Sequence, residues 1–65
     1  MPKYPNIEVE LTGRDGNAFA VMGAVTKALR RNKVPQAEID QYTEQAMSGD
    51  YDNLLVVTMQ TVEVL

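Results

Sequence analysis

The segment Leu11-Thr12-Gly13-Arg14-Asp15-Gly16-Asn17-Ala18-Phe19 constrains this chain more than any other, because the hydrophobic period changes across it. Before it, apolar and polar residues alternate. Ile7, Val9 and Leu11 share one face and Glu8 and Glu10 the other, the pattern of a half-buried strand. After it, Ala18, Val21, Met22, Val25, Ala28 and Leu29 fall on one helical stripe, with Phe19 at its edge and Lys27, Arg30 and Arg31 opposite. The two glycines punctuate the end of the strand. The segment therefore predicts a strand over 7–11, a tight turn with φ > 0 at one or both glycines, and a helix from Asn17 or Ala18 to about Asn32. Asn17 is suited to the N-cap, where its side-chain oxygen accepts from a backbone N–H one turn on.

The remainder reads as two further helices and a strand. Residues 1–5 form an extended lead-in held open by Pro2 and Pro5. Asn32-Lys33-Val34 is a short link, and Pro35 suits the first turn of a second helix. Pro35, Ile39, Tyr42 and Ala46 share its apolar stripe, while Glu38, Asp40, Gln41, Glu44 and Gln45 face water. Ser48-Gly49 stops it, with Gly49 at the C′ position. The short link makes an antiparallel helix pair the expected arrangement. Beyond it the pattern is ambiguous. Asp50 can cap a helix with a stripe of Tyr51, Leu55, Thr58, Met59 and Val62, yet the valines and threonines there favour a strand. The expectation is a short helix over roughly 51–59 and a strand near 60–65 pairing with 6–12. A single strand over 54–64 is the competing reading. The fold class expected is α+β, one small domain over residues 1–65 with a two-stranded sheet.

Composition removes most chemistry. The chain has 65 residues, no cysteine and no histidine. Disulfides, thiolate metal sites and cysteine nucleophiles are excluded, and the commonest general base and metal ligand are missing. Ser48 is the sole serine and has no histidine to activate it, so an enzyme is not expected and no catalytic residue, cofactor or metal site is assigned. The net charge of −3 argues against a DNA or RNA binder. No apolar run of about 18 residues exists to span a membrane. Met1-Pro2-Lys3-Tyr4-Pro5 lacks the apolar stretch of a signal peptide, and a cytoplasmic chain is expected. A core this small needs a supplement, and without disulfides oligomerisation is the favoured one.

Two features carry functional readings. Gly13-Arg14-Asp15-Gly16 is not a P-loop, since no Gly-Lys-Ser/Thr follows, nor a dinucleotide fingerprint, since Phe19 stands where the third glycine would be. It matches the bare GxxG of the KH domain, but Asp15 would repel phosphate and the motif follows a strand. Free N–H groups at 16–19 with Arg14 beside them can nevertheless hold a phosphate or carboxylate. Lys27, Arg30 and Arg31 suit the macrodipole at the end of a helix and need no ligand there. Alternatively, copies meeting across Ala20, Gly23 and Ala24 would gather Lys27 and Arg31 near a symmetry axis, where arginine forks recognise phosphate. Gly23 inside an exposed helix costs ~1 kcal/mol against alanine, which suggests a close approach there. Asp40, Glu44, Asp50 and Asp52 lack the calcium-loop pattern and read as solvated acids, with Asp50 as a cap. The three tyrosines read as core or interface rings, and Met22 and Met59 as core filler.

The combination Leu11-Thr12-Gly13…Asp15-Gly16-Asn17-Ala18-Phe19, Ala28-Leu29-Arg30-Arg31 and Ser48-Gly49-Asp50-Tyr51-Asp52 resembles a family of short uncharacterised proteins from phages and bacteria. The resemblance covers nearly the whole chain and implies no catalytic residues. Where that family has a glycine-like position after Ala-Leu-Arg-Arg, this chain has Asn32-Lys33. In size, lack of catalytic groups and a basic helix face it is also similar to the small oligomeric phage proteins that sequester cyclic-nucleotide immune signals.

Two functions are thus expected. One is a non-enzymatic oligomer binding a small anion such as a nucleotide, with Arg14, Gly16 and Asn17 at the junction and Lys27, Arg30 and Arg31 at a subunit interface. The other is a protein–protein interaction module, an inhibitor or adaptor using its strand edge or small-residue helix face.

Overall fold

The computed structural model describes residues 1–11 and 16–65; Thr12, Gly13, Arg14 and Asp15 lie outside the described residues. The order is β1 (Tyr4–Val9), α1 (Ala18–Arg31), α2 (Gln36–Ala46), α3 (Tyr51–Thr61) and β2 (Val62–Val64). This is the expected α+β arrangement of a strand, a helical hairpin, a short helix and a strand. The two strands pair in parallel, a direction that requires a long crossover, and the three helices supply it.

β1 begins at Tyr4 rather than Ile7 and ends at Val9 rather than Leu11. The supposed lead-in is already paired: Lys3 N–H donates to the Gln60 carbonyl at 2.8 Å, and Tyr4 lies opposite Val62. Pro5 is accommodated because the register shifts between Tyr4 and Glu8, so a residue without an N–H falls in an irregular stretch of an edge strand. The alternation holds, with Ile7, Val9 and Leu11 buried and Glu8 and Glu10 exposed.

α1 buries Val21, Met22, Val25 and Leu29. Asn17 caps it as expected, Oδ1 accepting from the Ala20 N–H at 3.1 Å. The helix ends in a paired set of hydrogen bonds, Lys33 N–H to the Arg30 carbonyl and Val34 N–H to the Leu29 carbonyl. That motif demands a left-handed residue, and Lys33 occupies it at φ 62°. Val34 then turns back onto the core.

α2 begins one residue later than expected. Pro35 is the N-cap, not the first helical residue, and its carbonyl accepts from the N–H groups of Glu38 and Ile39. It is exposed, so the buried stripe is Ile39, Tyr42 and Ala46 alone. Gly49 is not a left-handed C′ residue. α2 ends at Ala46 with Met47 as its C-cap, and Gly49 serves the start of the next helix instead.

Residues 51–61 are helical, which removes the reading of one strand over 54–64. The cap decides it: Asp50 Oδ1 accepts from the Asn53 N–H at 2.9 Å. The buried face is Leu54, Val57 and Thr58. Relative to the expected stripe the helix is rotated, so Tyr51 and Leu55 are half-buried and Met59 is exposed at 54% rather than filling the core.

One hydrophobic cluster joins all five elements. Leu29 and Leu54 are fully buried, each contributing about 1.5–3 kcal/mol. The one polar side chain among the buried described residues besides Tyr42 is Thr58, and the two hydroxyls hydrogen-bond each other at 2.8 Å. Burial pushes the Tyr42 phenol above its usual pKa, and the bond to Thr58 draws it part of the way back.

Candidate functional site

The two halves of the expected anion site stand at opposite ends of α1. Arg14 lies outside the described residues. Gly16 takes a left-handed conformation at φ 84°, and its N–H donates to the Tyr51 hydroxyl at 2.7 Å. Asn17 occupies the Ala20 N–H. An anion at this helix start is therefore left with the first-turn N–H groups of Ala18 and Phe19, which have no acceptor inside the helix. Asn17 and Arg31 are separated by the length of α1, about 20 Å at 1.5 Å per residue.

The basic residues at the far end are divided as well. Lys27, Arg30 and Arg31 are all exposed. Lys27 and Arg31 line a groove of about 410 Å³ together with Ala24 and Ala28 of α1 and Glu8, Val9 and Glu10 of the β1 segment. Arg30 belongs to a separate depression between α1 and α2. The small residues divide in the same way: Ala24 borders the first groove and Gly23 the second. A Cβ at Gly23 would meet nothing within 4 Å among the described residues, so none of them requires glycine there.

The geometry of the β1–α1 groove follows from the packing order. α1 packs on β1 and α3 on β2. No β2 residue lines the groove, so it runs along the edge of β1 that β2 leaves uncovered. Among the described residues no other strand pairs with that edge. Ala24 and Ala28 form a low floor one helical turn apart. Lys27 and Arg31, also a turn apart, stand on one rim, and neither has an ion pair within 4 Å among the described residues. Glu8 stands on the other rim, directly opposite Glu63 in the strand register, a like-charge pairing that weakens the sheet. The groove is thus lined by the cations of Lys27 and Arg31 from α1 and by the carboxylates of Glu8 and Glu10 from the β1 segment.

A second surface escaped the sequence reading. Phe19, taken as the edge of the core stripe, is 78% exposed, and Met47 is 60% exposed. Together with Met22 they border two adjoining depressions of about 240 and 340 Å³ beside α2. The signal was present: Phe19 and Gly23 are one turn apart, so the ring stands beside a bare stretch of helix. Asp50, one of the four acidic residues considered, caps α3 as expected. Tyr42 is a core ring, and Tyr4 and Tyr51 pack half-buried against the core. No helix among the described residues is long and apolar enough to cross a membrane. Comparison with protein-family models, curated proteins and solved structures finds no match.

Proposed function

We propose that the protein is a non-enzymatic interaction module that receives an extended segment of a partner along the open edge of β1. The observation that carries this reading is the groove itself: an unpaired strand edge over an alanine floor with charged rims. Strand addition draws its affinity from main-chain hydrogen bonds and its specificity from the flanking side chains. A two-stranded ribbon is marginal in isolation, so an added strand also stabilises the receiver. The absence of histidine and cysteine supports a binding role over catalysis.

Anion binding is the second reading, favoured by Lys27 and Arg31 standing a turn apart without an ion pair among the described residues. Two measurements separate the readings. Selection from a random decapeptide display library should enrich alternating, strand-forming peptides on the wild type and not on Ala24→Trp, whose indole fills the groove floor. The melting temperature should stay flat across mono-, di- and cyclic nucleotides and inorganic phosphate. Ligand at ~100 times its dissociation constant would add ~2.7 kcal/mol, so a selective shift would be plain and would replace the interaction reading with anion binding.

A further inference from the structure

We infer that the outer face of the α1–α2 hairpin is an interface between two copies of this chain, which pack there as a four-helix bundle about a two-fold axis parallel to the helices. This face uses another flank of α1 than the β1 groove does, so the inference is independent of the strand-edge reading. Each helix contributes one stripe. Phe19, Gly23, Thr26 and Arg30 recur along α1, and Gln36, Asp40, Thr43 and Met47 along α2, all lining the depression of about 340 Å³. Both series step by four, three and four residues, the spacing of one helical face. The hairpin puts Phe19 and Met47 at one end, where both also border the adjoining depression, and Arg30 and Gln36 at the other, on either side of the link.

The second copy is named by the way this face complements itself. Rotation about an axis lying along the groove exchanges the two helices, so α1 of each copy faces α2 of the other at the same level. Phe19 then meets the partner's Met47, a sulfur–aromatic pairing. Arg30 meets the turn that carries the partner's Gln36 and Asp40, and a guanidinium meets a carboxylate. Each contact is made twice, as an isologous interface requires. A two-fold running across the helices would instead set the Phe19 end against the Arg30 end, so the side chains select the axis. All neighbouring helices in the resulting bundle are antiparallel, the up-and-down arrangement.

The details of the face agree. Within one copy Arg30 and Asp40 share the depression but form no ion pair within 4 Å. Asp40 Oδ1 accepts from Gln36 Nε2 at 2.8 Å, which leaves its other oxygen for a guanidinium. In the middle, Thr26 Oγ1 donates to the Gly23 carbonyl and Thr43 Oγ1 to the Ile39 carbonyl, so covering them strands no hydroxyl proton. Gly23, which none of the described residues requires, opens the centre of the face to the partner's helices. A 65-residue domain without cysteine gains from such a face the apolar burial that its own core lacks.

A charge exchange tests this. Analytical ultracentrifugation of the wild type should show a dimer that forms as concentration rises. Arg30→Asp should be monomeric, and so should Asp40→Arg, since each sets like charges across the two-fold. Mixed in equal amounts they should form a heterodimer, because both contacts then join opposite charges, although neither chain has complementary charges within itself. Phe19→Ser should also be monomeric yet folded, because the ring it removes is exposed. Far-UV circular dichroism checks the fold of each variant. On the unsubstituted protein, a mixture of isotope-labelled and unlabelled chains should give a nuclear Overhauser effect between the Phe19 ring and the partner's Met47 methyl. A wild type that stays monomeric up to about 1 mM, the weak end of specific association, overturns the inference. So does a mixture of folded variants that fails to associate. A dimer that survives both Phe19→Ser and Arg30→Asp lies on another face and overturns it too.

Discussion

The starts of α1 and α3 carry the same short signature, a glycine followed by a capping Asx: Gly16-Asn17 and Gly49-Asp50. In both, the Asx side chain accepts from the N–H three residues on, at 3.1 Å for Asn17 and 2.9 Å for Asp50. The glycines nevertheless serve different ends. Gly16 is needed for its dihedral: φ is 84°, and a Cβ there would meet nothing within 4 Å among the described residues. Gly49 is needed for room: its φ is ordinary, but a Cβ would lie 2.9 Å from Cβ of Asn53. Asn53 cannot swing aside freely, because its Nδ2 donates to the Gln45 carbonyl at 3.0 Å and so ties the end of α2 to the start of α3. One sequence pattern thus hides two physical requirements, a backbone angle at one junction and a close approach at the other. Tyr51 joins them, its hydroxyl accepting the Gly16 N–H from the first residue of α3.

Substitutions can pull the two junctions apart. Gly49→Ala should be the most damaging, at about 1–3 kcal/mol, as for other overpacked sites. In a domain of this size each kcal/mol lowers the melting temperature by roughly 4–8 °C. A near-silent Gly49→Ala would mean that Asn53 yields and that the close approach is not a constraint. Gly16→Ala should cost about 1–2 kcal/mol through its left-handed angle alone. D-alanine placed at 16 by chemical synthesis should recover that loss, and failure to do so would show that space, not angle, selects glycine there. The caps should be equivalent, Asn17→Ala and Asp50→Ala each costing ~1 kcal/mol by chemical denaturation. A large inequality between them would break the parallel. Tyr51→Phe should have the smallest effect, about 0.5 kcal/mol for one exposed hydrogen bond, and its amide signature is a downfield-to-random shift of the Gly16 N–H in NMR spectra.

The same contrast explains what the residues revealed in advance and what they did not. Both Asx caps were readable because capping is local, depending on one side chain and an N–H three residues away. The apolar stripe of α1 was readable because a single wide face meets the core. α3 was harder, because its valines and threonines carry strand propensity and only the packing of Leu54, Val57 and Thr58 fixes which way the helix is turned. The role of Gly49 depends on Asn53 and α2, and the early start of β1 depends on Gln60, both distant in sequence. The site divided along the same line. Lys27 and Arg31 were visible as a basic pair, but their placement across from Glu8 is a product of how α1 lies on β1.

The parallel pairing of β1 and β2 also has a mechanical consequence. Tyr4 faces Val62 and Val9 faces Val64, so a force drawn between the start of β1 and the end of β2 acts along the strands and not across them. The rungs at either extremity, Lys3 N–H to the Gln60 carbonyl and Leu65 N–H to the Val9 carbonyl, are loaded together and must fail together. A hairpin pulled from its open end gives way one rung at a time. This sheet resists as a shear clamp, holding with the sum of its few bonds until it releases the three helices at once.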